Sequence, residues 1–358
     1  MTTPTLSGLG WNARLADDYT PHAAAGLLPG RIARVDRGLC DVLVADPDAQ
    51  TPATTRTVRA DWSVLGARDP LDYPCTGDWA VVDLDDPAAP VLRTLLPRHT
   101  AVVRGATGER SDGQVLAANV DHVLITVSLA AKADIGRIER LLALAWESGA
   151  QPVVVLTKAD TAYDPRQIAD VEAAAPGATV LAVSALTGEG VDVLAAVLAD
   201  GSAALIGQSG VGKSTLTNAL AGAELMATGD TRDVDEKGRH TTTTRELIPL
   251  PGGGVLIDTP GLRSVGLFGG ESGLAQAFSD VEEFAEQCRF ADCGHESEPG
   301  CAVLSAVRDG TLPERRLTSY RKLLRENEWI ASRTDARLAA ERRQVWKQRA
   351  KSAGRARP

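Results

Sequence analysis

The segment Gly207-Gln208-Ser209-Gly210-Val211-Gly212-Lys213-Ser214-Thr215 constrains the fold more tightly than any other part of the chain. It matches GxxxxGK[ST] and sits where that pattern belongs, after the apolar run SAALIG and before the helix-forming run TLTNALAG. Glycines let backbone N–H groups close around a β-phosphate, and Lys213 neutralises the β/γ oxygens. Ser214 offers its hydroxyl to Mg²⁺, and the helix N-terminus adds its dipole. Strand, tight loop and helix in this order imply a parallel α/β sheet whose ligand lies at the carboxyl ends of the strands.

The surrounding pattern agrees. From about 120 the chain alternates DHVLITVS, helix IGRIERLLALAWESG, strand PVVVLT, a helix near 165–174, strand TVLAVS, helix GVDVLAAVLAD and strand SAALIG. Upstream, GRIARV, CDVLVA, TRTVRADW, DWAVVDL and VLRTLL read as short strands separated by turn clusters, and predict a small β-barrel of the oligonucleotide-binding (OB) or SH3-like kind. At 358 residues the chain has room for two or three domains. The expected division is a mobile arm over 1–28, the barrel over 29–100, the nucleotide domain over 101–270 and a helical, basic C-terminal domain over 271–358. A single helix, SGLAQAFSDVEEFAEQ, is expected to open the last of these.

Two further segments extend the phosphate site. Asp258-Thr259-Pro260-Gly261 closes the strand GVLIDT, where Asp258 can hold Mg²⁺ through water and the Gly261 amide can sense a γ-phosphate. Between it and the phosphate loop, Gly238 to Arg245 supplies the hydroxyls of a switch: any of four successive threonines, Thr241 to Thr244, could meet the metal, and Thr243 is taken for that place. A guanine base needs an acceptor for its N1–H and N2–H₂ donors. Asp160, in Thr157-Lys158-Ala159-Asp160 after PVVVLT, supplies it, and the Lys158 stem can cover the ring. Ser184 and Ala185, ending TVLAVS, bring a backbone amide towards O6.

In ordinary small GTPases the base-reading motifs follow the phosphate loop; here they precede it. The order TKAD, SAL, GQSGVGKS, Thr-rich switch, DTPG resembles a circularly permuted GTPase. With the barrel before it and a Cys/His window after it, the chain is similar to the ribosome small-subunit-dependent GTPase family. The resemblance implies GTP hydrolysis to GDP and phosphate in late maturation of the small ribosomal subunit, stimulated by the subunit. Thr157 departs from the usual Asn, which predicts loss of an amide that braces the phosphate loop. Leu262 stands where Ras-like GTPases carry a water-orienting Gln, so His240 in the switch becomes the candidate to position the attacking water, beside Lys213 as the charge-stabilising group.

Cys288, Cys293, His295 and Cys301 fall within a short window near the C-terminus. Three thiolates and one imidazole make a closed tetrahedral set for one structural Zn²⁺, with no position left for a catalytic water. No apolar run reaches the roughly 18 residues of a membrane helix, and five cysteines without a basic, apolar leader fit a reduced cytoplasmic protein, expected to be a monomer.

The net charge of −9 argues against a general RNA binder, but it averages unlike parts. Residues 311–358 carry +9, with Tyr320, Trp329 and Trp346 interleaved as stacking partners for rRNA. The barrel is net acidic, so any RNA contact there would use a local face such as Arg31, Arg34, Arg37, Arg56 and Arg59. Two other readings remain open from sequence: a GTP-driven metal-insertion chaperone and a catalytically silent RNA-binding scaffold.

Overall fold

The computed structural model describes residues 4–46, 54–105, 113–161, 163–199, 201–226, 245–262, 266–268 and 271–334. Five strands, β1 (Leu28–Val35), β2 (Leu39–Ala45), β3 (Thr55–Asp61), β4 (Trp79–Asp83) and β5 (Val91–Leu95), close into a barrel in the order β1-β2-β3-β5-β4. Alternation works here because each strand turns one face to the interior. Ile32, Val42, Val44, Ala80, Val82 and Leu92 fill it, all fully buried. Gly30 keeps the wall thin, since a Cβ there would lie 2.6 Å from Val42 Cγ1.

The expectation of a mobile arm over 1–28 is corrected for the described residues 4–28. A short 3₁₀ turn, Ser7–Leu9, leads into helix α1 (Ala13–Ala23), capped by the Asn12 side chain accepting from Leu15 N–H at 3.1 Å. Trp11, Leu15 and Tyr19 recur at helical spacing, and Trp11 meets Trp79 of the barrel edge-on with ring centroids 4.9 Å apart. Leu9 and Leu15 are buried at 0% and 2% exposure. The Thr, Pro and Ala content had concealed this apolar stripe.

A two-stranded ribbon, β6 (Ala101–Gly105) and β7 (Gly113–Ala118), follows the barrel. Then come β8 (His122–Ser128), α2 (Ile135–Glu147), β9 (Gln151–Thr157), α3 (Arg166–Ala174), β10 (Thr179–Ala182), α4 (Val191–Leu198), β11 (Ser202–Gly207), α5 (Lys213–Ala221), β12 (Glu246–Pro249) and β13 (Val255–Asp258). The sheet order is β10-β9-β8-β11-β13-β12, parallel throughout except for the edge hairpin β12–β13. The nearly continuous apolar runs of β8, β9 and β11 are those of strands covered on both faces.

The single helix expected after residue 271 is two, α6 (Ser272–Ala277) and α7 (Ser279–Ala285), broken at Phe278 (φ −119°, ψ 36°). α6 lies so close to α2 that a Cβ on Gly273 would stand 2.4 Å from the Ala143 carbonyl oxygen. The chain turns there, and Phe278 enters the core fully buried. Helices α8 (Ala302–Asp309) and α9 (Glu314–Thr334) complete the C-terminal part. Among the described residues, no helix is long and apolar enough to cross a membrane.

Candidate functional site

β11 ends at Gly207, where a Cβ would come 2.1 Å from Thr126 Oγ1 on β8, so the loop leaves the sheet through a point only glycine fits. Gly210 (φ 81°) and Gly212 (φ 98°) then take left-handed conformations, the backbone shape from which anion-binding nests are built, at the start of α5. Gln208, Ser209 and Gly210 face solvent, while Val211 and Lys213 are buried and Ser214 half-buried.

Lys213 Nζ donates to the carbonyls of Gln208 (2.7 Å) and Gly207 (3.1 Å). Burial holds its pKa below the usual ammonium value, with the Asp258 charge opposing. Asp258, at the end of β13 and only 2% exposed, is pushed up to about 6 by burial. Its Oδ1 is buried without a hydrogen-bond partner, as is Oγ1 of Thr217 on α5. A buried carboxylate oxygen left unpaired beside a lysine is the donor set a hydrated divalent cation and a phosphate would satisfy. Gly261 lies against the loop, with a Cβ position 3.0 Å from the Ser209 backbone nitrogen. Leu262 is buried and donates its N–H to the Gly207 carbonyl at 3.0 Å, so its side chain offers nothing polar to a water.

The residues expected to read a base reach the same edge from the other side. Thr157 does not leave the phosphate loop unbraced, as its replacement of Asn had implied: its hydroxyl donates to the Val211 carbonyl at 2.5 Å, with the Val127 carbonyl at 3.2 Å. Lys158, at φ 61°, sends Nζ to the Gly210 carbonyl at 3.3 Å. Ser184 is fully buried and donates to Asp160 Oδ1 at 2.6 Å, fixing an otherwise exposed carboxylate. Ala185 is half-buried next to it. Side-chain orientation is what sequence reasoning missed here, since the TKAD and SAL segments carry no signal that Ser184 would hold Asp160. His240 and Thr243 lie outside the described residues.

Cys288, Cys293, His295 and Cys301 converge, their ligand atoms all within 4.8 Å of one another. Cys288 and Cys301 sulfurs are 3.8 Å apart, and His295 Nδ1 is 3.6 Å and 3.5 Å from them. Thiolates on a tetrahedral zinc at about 2.3 Å would stand about 3.8 Å apart, so the donor set fits the ion. Cys301 also caps α8, accepting from Leu304 N–H at 3.4 Å, where a helix N-terminus favours the thiolate. His295 reaches the cluster through a left-handed backbone (φ 55°).

The RNA-facing candidates are partly redistributed. Arg31 is fully buried and belongs to no surface; Arg34 and Arg59 are ion-paired with Asp36, and Arg59 also with Asp41. Arg37 and Arg56 remain exposed. Tyr320 is not a stacking partner: it is 7% exposed, its hydroxyl donates to Glu282 at 2.8 Å, and its ring packs on Phe278. Trp329 is 47% exposed, and Trp346 lies outside the described residues.

The family model described as RsgA GTPase matches residues 95–268. The chain is 59% identical over 348 residues to a protein of Streptomyces coelicolor named small ribosomal subunit biogenesis GTPase RsgA, covering 96% of this chain and 92% of that one. A protein of the same name from Streptomyces avermitilis is 57% identical, with 95% and 90% covered. The crystal structure of YjeQ from Thermotoga maritima superposes with a TM-score of 0.58 at 24% identity, covering 84% of this chain and 98% of that one. That of YloQ, titled a circularly permuted GTPase, gives 0.59 at 24% identity, with 84% and 95% covered.

Proposed function

The chain belongs to the RsgA GTPase family, and from that premise we propose that it hydrolyses GTP to GDP and phosphate in the maturation of the small ribosomal subunit, with the subunit stimulating turnover. It is a P-loop GTP hydrolase of permuted order. One observation carries the reading at atomic level. Thr157, Lys158 and the Ser184-held Asp160 touch or flank the phosphate loop from one side, while Asp258 and Gly261 close on it from the other.

In this reading the loop amides and Lys213 stabilise charge on the transferring phosphoryl, and Asp160 selects guanine. Ser214 and Asp258, with Thr243 of the switch, would hold Mg²⁺, which supplies neutralisation of the β/γ oxygens. Leu262 is apolar and buried, so His240 is assigned the attacking water. Cys288, Cys293, His295 and Cys301 would hold one structural Zn²⁺. The burial of His295 and Cys301 (7% and 4% exposed) favours retention over delivery of the metal. The 29–100 barrel and the basic 311–358 end are the surfaces assigned to rRNA, and the protein works as a cytoplasmic monomer.

GTP turnover measured with and without purified small subunits tests the reading. Stimulation is expected, and a flat response would remove the ribosomal part. Replacing His240 by Ala should abolish the stimulated rate while leaving GDP affinity intact; unchanged turnover would discharge that residue.

A further inference from the structure

We propose that Arg137 is a positioning residue for the γ-phosphate, acting through the backbone of the segment that follows DTPG; the inference deepens the GTPase reading above and rests on it. Arg137 stands in the first turn of α2, where Asp134 caps the helix by accepting from the Arg137 backbone N–H at 3.1 Å. Its guanidinium Nη2 donates to the Leu262 carbonyl. Leu262 is therefore held at three points: its N–H on the Gly207 carbonyl, its carbonyl on Arg137, and its side chain in the core at 3% exposure. Gly261, the residue before it, rests against Ser209 of the phosphate loop.

The amide that reads the γ-phosphate is thus set in place by bonds made one residue later. The Arg137 charge is also felt at Lys213, whose pKa it helps to lower after burial, which puts the guanidinium in the field of the phosphate loop. α2 lies between β8 and β9, in the half of the sheet that carries the base-reading strands. Arg137 consequently ties that half to the DTPG switch. Without the tie, the cost of fixing Gly261 falls on the one ligand that needs it, the nucleoside triphosphate. GDP makes no γ contact and should be indifferent.

The test is the affinity of the full chain for fluorescent GDP and for a fluorescent non-hydrolysable GTP analogue, in wild type and Arg137→Ala. The variant is expected to bind the analogue about tenfold more weakly while GDP stays within about twofold, the loss of one charged hydrogen bond. Arg137→Lys, which keeps a donor, should recover part of the analogue affinity. Should Arg137→Ala not fold, Arg137→Gln carries the same comparison. Equal loss for both nucleotides, or no loss for either, overturns the inference alone. Failure of the wild type to bind either nucleotide overturns the GTPase reading with it.

Discussion

The barrel meets the nucleotide domain across Arg31, and the C-terminal helices meet it across Arg316; both side chains are almost wholly buried, at 0% and 1% exposure, and their partners differ in kind. Arg31 donates to uncharged acceptors: the carbonyls of Leu9, Asn119 (2.7 Å) and Gly77 (3.3 Å) and the hydroxyl of Ser202 (2.7 Å), with its guanidinium over the Trp79 ring. Burial lowers its pKa to about 10, with Asp121 and Asp78 opposing from a distance. Arg316 also donates to carbonyls, those of Ala277 (2.6 Å) and Ala174 (3.3 Å), but adds carboxylates: Glu139, itself 0% exposed, at 2.9 Å, and Asp280 at 2.8 Å and 2.9 Å, with Phe278 under the guanidinium. Burial opposes its charge too, but Asp280 and Glu139 outweigh that and hold its pKa above the ordinary value. One seam is a cation solvated by uncharged groups alone, and the other adds an ion network to its carbonyls. Removing the cation from each should therefore leave different things behind.

Arg316→Met leaves buried Glu139 with the half-exposed Arg315 as its remaining counter-charge, and should cost about 3 kcal/mol in denaturant unfolding, the low end for breaking a buried pair. Arg31→Met leaves neutral oxygens without a donor, a smaller loss of about 1 to 3 kcal/mol. Equal costs would erase the distinction. Adding Glu139→Gln to Arg316→Met removes the weakly compensated charge and should return about 1 to 2 kcal/mol, whereas a further loss would show that the bonds of Glu139 to Arg315 and Ser319 outweigh its desolvation. Chelation of zinc should lower the stability of the C-terminal part. Because the two seams share no partners, the cost of Arg31→Met should stay within about 0.5 kcal/mol with and without the chelator. A cost that changes more than this would join the seams into one unit.

What could be read from residue order alone was whatever depends on backbone shape or on ligand count. The phosphate loop demands glycines, the barrel strands alternate, and the Cys/His window has the composition of a tetrahedral site. What could not be read depends on which surface a side chain meets. Arg31 does point out of the barrel, as alternation requires beside inward Gly30 and Ile32. Outward here means into the N-terminal turn and the β11 strand rather than into water. Tyr320 looked like one aromatic of a basic helix, yet its face of α9 packs on α7. Thr157 lacks the amide of Asn, but a hydroxyl at the same place reaches Val211, a substitution of function that residue type conceals.

The sheet order has a consequence for how the molecule is made. Strands β8, β9 and β10, with Thr157, Asp160 and Ser184 in and after them, leave a ribosome before β11, the phosphate loop and β13. The half emerging first has α2 and α3 to cover it, but its inner strand β8 lacks the neighbour β11, leaving a transient open edge. In the proposed reading, a guanine nucleotide would gain its phosphate grip only when the loop inserts and its triphosphate sensor only when Gly261 follows. During synthesis such a nucleotide would be a late arrival, sealing a sheet already half built.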